Sequence, residues 1–209
     1  MLSNHPGAYD ALIIFSNLKG HRIRSVSSEI PFLHLLPNTH QHFLFAPRRD
    51  VLERMIVLRN VIRHLQEGGT VTFFASGHRD PDPCVYPGAK NAIDHWLKII
   101  DVLFTHLQDL KVLPIIISGV ISREWSRHHI TWFRKKQIDK QRLAEFGQVI
   151  TQMKKPGRLF MEPRISFGEP YNEDTLRQDV GSGKLHQAVI ERSKALFSES
   201  SSYFGGFID

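Results

Sequence analysis

The chain has 209 residues, 27 Lys and Arg against 21 Asp and Glu for a formal net charge of +6, and 41% hydrophobic residues. Such a length and composition suit one α/β domain with a sizeable core and exclude a largely disordered chain. The single cysteine, Cys84, cannot close an internal disulfide, and the most apolar stretch, 112–121, is broken by Pro114, Ser118 and Gly119, far short of the roughly 18 residues that span a bilayer.

Residues 10–18 read as a helix, with Pro6 suited to its first turn. Residues 22–26 and 43–46 are short strand candidates. A longer helix is predicted over 50–67, where Asp50 and Glu53 form a capping box, Met55, Leu58, Ile62 and Leu65 share one face, and Gly68-Gly69 ends the run. Residues 71–75 follow as a continuous apolar strand, the pattern of a sheet buried on both faces. The spacing of Ile93, Trp96, Leu97, Ile100, Leu103, Phe104 and Leu107 predicts one helix over 89–107. A second buried strand is expected over 112–118. Leu143, Phe146, Ile150 and Met153 mark a third helix, and 158–167 is a strand candidate.

Helices between buried strands imply crossover connections, so the expected fold is α/β: a single domain with a largely parallel or mixed central sheet flanked by helices. The domain is expected over 1–197, and the Ser cluster with Gly205-Gly206 predicts a flexible tail over 198–209. A buried strand normally feeds a motif such as Asn4-His5, yet three residues precede it, so the first strand is expected to be truncated, and a membrane anchor could stand before it. No signal peptide is readable there.

Three features could carry chemistry. His5 and Asp10 stand five residues apart, which on a continuous helix separates them by about 140°. They meet only if Pro6-Gly7 turns and the helix starts after it. A carboxylate on one ring nitrogen would then fix the tautomer and leave the other nitrogen to accept a proton from a substrate hydroxyl. The alternative is that both residues cap a helix. The second feature is the run from Phe73 to Asp80, Phe-Phe-Ala-Ser-Gly-His-Arg-Asp, after a buried strand, where α/β sheets bind ligands. Ser76 and Gly77 let the backbone approach an anion, and Arg79 offers a planar fork for phosphate or else pairs with Asp80 or Asp82. The third is Arg48 in Phe45-Ala46-Pro47-Arg48-Arg49, a strand-end guanidinium or simply a solvated one.

Taken in order, these features resemble the glycerolipid acyltransferase superfamily, the lysophosphatidic acid acyltransferase-like proteins. Asn4-His5-Pro6-Gly7-Ala8-Tyr9-Asp10 matches that family's Asn-His-four-residues-Asp block. Phe45-Ala46-Pro47-Arg48 aligns with its strand ending in Arg, and Phe74-Ala75-Ser76-Gly77-His78-Arg79 with its Phe-Pro-Glu-Gly-Thr-Arg block. Val112-Leu113-Pro114-Ile115-Ile116-Ile117 and Phe167-Gly168-Glu169-Pro170 complete the series, so the resemblance covers residues 3–171.

The resemblance implies transfer of a fatty acyl group from acyl-CoA or acyl carrier protein to a hydroxyl of a (lyso)glycerophospholipid, within phospholipid biosynthesis. His5 would take the hydroxyl proton, Asp10 would orient it, and Arg48 and Arg79, with Ser76 and Gly77, would hold the acceptor's phosphate. No cofactor beyond the acyl thioester co-substrate is implied, and no metal. Three departures stand out: the family's Glu is Ser76, the Thr after the Gly is His78, and Pro47 replaces an acidic residue. They put the acceptor in question and leave a catalytically impaired, membrane-binding homologue as the alternative.

Between Ile121 and Arg142 seven cations (Arg123, Arg127, Arg134, Lys135, Lys136, Lys140, Arg142) face Glu124 and Asp139, which is +5 of the chain's +6. Trp125, Trp132 and Phe133 lie among them. Aromatic anchors among cations suit contact with anionic headgroups, with Trp125, Trp132, Arg134, Lys135 and Lys136 as the expected contacts; the other reading is a solvated basic face with its Trp residues turned inward. The protein is therefore expected at the cytoplasmic face of a membrane, as a peripheral protein. A basic nucleic-acid-binding protein would also explain the patch but not the ordered blocks. A metal hydrolase would use His34, His40, His42, His128 and His129, which lack the His-Glu-x-x-His spacing.

Overall fold

The computed structural model describes residues 1–18, 22–28, 35, 37–46, 51–181 and 184–208. Six strands form one sheet: β1 (Leu2–Ser3), β2 (Ile23–Ser28), β3 (Phe43–Ala46), β4 (Thr70–Phe74), β5 (Pro114–Ser118) and β6 (Arg164–Phe167), in the order β3-β2-β4-β1-β5-β6. All neighbours are parallel except β5 and β6, which run antiparallel. The expected first strand is the two-residue β1, and it occupies the middle of the sheet, with Ser3 opposite Phe74 on one side and Ile115 on the other.

β5 explains why its run carries no polar alternation. Every residue is buried: Ile116 packs into the core on one face, while Ile115 and Ile117 pack into the core on the other. The longer helices are α1 (Asp10–Asn17), α2 (Val51–Gln66), α3 (Ile99–His106), α4 (Gln137–Lys154), α5 (Glu173–Val180) and α6 (Leu185–Phe204). Residues of α2, α3, α5 and α6 build the first core, and Ile14 of α1 and Ala144 of α4 belong to the second. The carboxyl ends of β1, β4 and β5 therefore open side by side.

Four local expectations change. The single helix over 89–107 is two short pieces, Ala89–Ala92 and the 3₁₀ turn Ile93–His95, followed by α3. The break falls at Trp96, which is extended, and the next N–H, on Leu97, donates to the Ala75 carbonyl at 2.7 Å. The strand over 158–167 shortens to β6. Pro6 lies before α1 rather than in its first turn. The tail is helical through Phe204: the hydroxyls of Ser193, Ser198, Ser200 and Ser202 each donate to the carbonyl four residues back, and Phe207 packs edge-on against Phe197. Asp50, the expected cap of α2, lies outside the described residues.

Candidate functional site

Asn4 continues β1 by its side chain. Its Nδ2 donates to the Ile117 carbonyl at 2.8 Å and its Oδ1 accepts the Ile117 N–H at 2.7 Å. The amide thus completes the ladder to β5 while the backbone turns away, which delivers His5 to the end of the sheet. Pro6 and Gly7 turn the chain, α1 starts at Asp10, and the His5 ring folds back onto it. His5 Nδ1 lies 2.8 Å from Asp10 Oδ2, which also accepts the Gly7 N–H at 2.8 Å. A Cβ at Gly7 would approach Asp10 Oδ1 and Val120 Cγ2 to 3.0 Å, so the turn leaves little room for a side chain there.

The Asp10 side chain is fully buried, whereas that of His5 is 26% exposed and stacks on Phe74 with ring centroids 4.2 Å apart. His5 Nε2 has no hydrogen-bond partner among the described residues and reaches solvent. Burial pushes the Asp10 carboxyl above its ordinary value, while the hydrogen bond and charge of His5 and the Gly7 N–H pull the other way. One ring nitrogen is held by a carboxylate and the other is open, an arrangement that suits a base.

Further residues hold this loop: Asp80 and Asp82, expected at most as partners of Arg79, and Gln141, which the sequence reading did not name. The Asp80 N–H donates to the His5 carbonyl and Asp80 Oδ2 accepts the His5 N–H, both at 2.9 Å, so the two loops clasp each other. Burial raises the Asp80 carboxyl, opposed by its hydrogen bonds from His5 and Ser76. Gln141 on α4 donates to the carbonyls of Pro6 and Asp80 and accepts the Asp82 N–H. Asp82, fully buried and also raised by burial, accepts the N–H groups of Cys84, Gly119 and Ile121. It thereby ties the loop after β4 to the loop after β5.

Of the expected acceptor residues, Arg48 lies outside the described residues. Ser76 and Gly77 do sit at the end of β4, but the Ser76 hydroxyl is turned inward, donating to the His78 carbonyl and Asp80 Oδ2. Arg79, expected to face a phosphate, is ion-paired through Nη1 with Glu145 of α4, and Glu145 also accepts the Ala8 N–H. Sequence reasoning missed Gln141 and Glu145 because it placed α4 from its apolar residues, Leu143, Phe146, Ile150 and Met153, and gave its polar ones no role. The helix buries a polar stripe instead, Gln141, Glu145 and Gln148 at four- and three-residue intervals, while Phe146 and Met153 are exposed. The signal available was that polar stripe on its opposite side.

Trp125, expected at a membrane, packs inward. Its Nε1 donates to Thr151 Oγ1 at 3.1 Å, it stacks on His128, and a Cβ at Gly147 would land 2.3 Å from its ring. Glycine in α4 is what lets the indole lie flat on the helix. Trp132 is 73% and Phe133 83% exposed, at the end of the 3₁₀ turn His129–Phe133. Arg134, Lys135 and Lys136 follow, also exposed and without an ion pair among the described residues. Arg134 and Phe146 line one shallow cavity, so the turn and the outer face of α4 adjoin.

No group of three or more His, Cys, Asp or Glu is placed to hold a metal among the described residues, and His34 lies outside them. A cavity of about 730 Å³ opens at the other end of the sheet, lined by Leu65, Val71, Phe73, Leu103 and Leu113, away from His5. Comparison with protein-family models, curated proteins and solved structures finds no match to this chain.

Proposed function

We propose that the protein is an O-acyltransferase that moves a fatty acyl group from acyl-CoA or acyl carrier protein to a hydroxyl of a glycerolipid acceptor. The observation that carries this reading is the His5–Asp10 pair, held by a turn at the carboxyl ends of a parallel sheet with Nε2 open. No hydroxyl or thiol of the described residues is hydrogen-bonded to Nε2, so the base is suited to a substrate hydroxyl rather than to a protein nucleophile.

In the reaction, Nε2 takes the acceptor's hydroxyl proton as that oxygen bonds to the thioester carbonyl carbon. The carbonyl electron pair moves to oxygen and returns as the carbon–sulfur bond breaks. The departing thiolate then takes the proton from the imidazolium, which leaves an ester, a free thiol and neutral His5. Asp10 keeps the proton of the neutral ring on Nδ1 and stabilises the transient imidazolium.

Contact with an anionic membrane at its cytoplasmic face belongs to the same proposal. It is supported by exposed Ile130, Trp132, Phe133 and Phe146 beside Arg134, Lys135 and Lys136. No helix among the described residues is long and apolar enough to cross a membrane. The test is transfer of labelled acyl groups from both donors to a panel of lysolipids, wild type against His5→Ala. General-base catalysis is worth roughly 10²–10⁴-fold, so the variant should lose at least about a hundredfold. Equal activity of the two proteins would overturn the reading. Absence of product on any acceptor, with liposome binding retained, would favour an inactive membrane-binding homologue.

A further inference from the structure

The acceptor class is legible in the charges around His5. Position 76 carries no carboxylate, and the one facing Arg79 comes from Glu145, 66 residues further along the chain, whose other oxygen accepts the Ala8 N–H. The two side chains are only 13% and 10% exposed. Drawing Arg79 off to a ligand would strand a buried carboxylate, which is far more costly than opening a surface pair. Among the described residues, the carboxyl groups meeting at the His5 loop are those of Asp10, Asp80 and Glu145, and the guanidinium beside them is that of Arg79. A phosphomonoester is held tightly where guanidinium donors are free to take its oxygens. Among the described residues, the guanidinium at this site is already neutralised by Glu145.

Building on the acyltransferase reading, we infer that Glu145 sets the acceptor class: a hydroxyl compound whose head carries no net negative charge, rather than a phosphomonoester. Glu145→Gln keeps an acceptor for the Ala8 N–H and removes the charge that occupies Arg79. With acyl-CoA as donor, kcat/KM is compared for lysophosphatidate and lysophosphatidylcholine. Wild type should favour lysophosphatidylcholine by about tenfold or more, and Glu145→Gln should shift the ratio about tenfold toward lysophosphatidate. A wild-type preference for lysophosphatidate, or a ratio unmoved by the substitution, overturns the inference. Should Glu145→Gln not fold, the wild-type ratio decides alone.

Equilibrium dialysis with glycerol 3-phosphate separates this inference from the acyltransferase reading. If no acceptor is acylated, that reading fails by itself. The charge argument then stands if wild type retains glycerol 3-phosphate no better than Arg79→Gln does, and it falls if wild type retains it more tightly.

Discussion

Asp10→Asn should separate catalysis from folding in this site. The carboxylate lies 2.8 Å from His5 Nδ1, and during transfer the ring becomes a cation beside it. With charge centres about 4 Å apart at an effective dielectric near 20, that attraction is worth about 4 kcal/mol. Removing it should cost about a thousandfold in kcat. Stability should move little, within about 1 kcal/mol, because the amide oxygen can still accept the Gly7 N–H. Its NH₂ takes the place of Oδ1, which has no partner now, and a neutral group escapes the burial that pushes the Asp10 carboxyl up. Thiol release from acyl-CoA in the presence of acceptor measures the first effect, and urea unfolding the second. Activity within tenfold of wild type would refute the base-and-orienter reasoning. A large loss of stability alongside lost activity would make Asp10 a structural anchor instead.

Gln141→Ala removes the partner of two carbonyls and one N–H at once and should destabilise by about 3 kcal/mol or more; urea unfolding checks it, and a loss under about 1 kcal/mol contradicts the bridging role. Asp80 is held above its ordinary value near 3.8, so the folded state binds more protons than the unfolded one there. Its contribution is full below about pH 4 and is lost as pH rises through the folded value, with stability falling over that window. Asp80→Asn should flatten the fall, read from urea midpoints between about pH 4 and pH 8, and parallel curves for the two proteins would count against it. Lys135→Ala with Lys136→Ala should weaken sedimentation with anionic vesicles by about 2 kcal/mol, from about 1 kcal/mol per cation, while leaving zwitterionic vesicles and stability unaffected. Unchanged binding would remove this face from the membrane contact.

The strands were legible where the chain is buried on both faces, because continuous apolar runs at 71–75 and 112–118 leave no polar face to hide. The turn that joins His5 to Asp10 was legible as one of two readings, since Pro6-Gly7 can fold the ring back, and the structure has the two side chains in contact. The break at Trp96 was not. Both a continuous helix and the observed pieces bury Ile93, Trp96, Ile100 and Leu103, and the choice falls to a hydrogen bond from Leu97 to Ala75. Likewise Ser198, Ser200 and Ser202 of the tail look like loop residues until α6 gives their hydroxyls a carbonyl four residues back.

The sequence by itself determined the α/β class, since periodicity is a local property, and it left His5 and Asp10 either paired across a turn or capping a helix. Only the tertiary structure decided which face of α4 turns inward. Its polar stripe is buried because Gln141, Glu145 and Gln148 meet unpaired backbone groups and a guanidinium on the loops after β1, β4 and β5. Those partners lie far away in the chain, so no local pattern could announce them. The same pairing decided the state of Arg79, whose charge is neutralised by a residue that no motif contains.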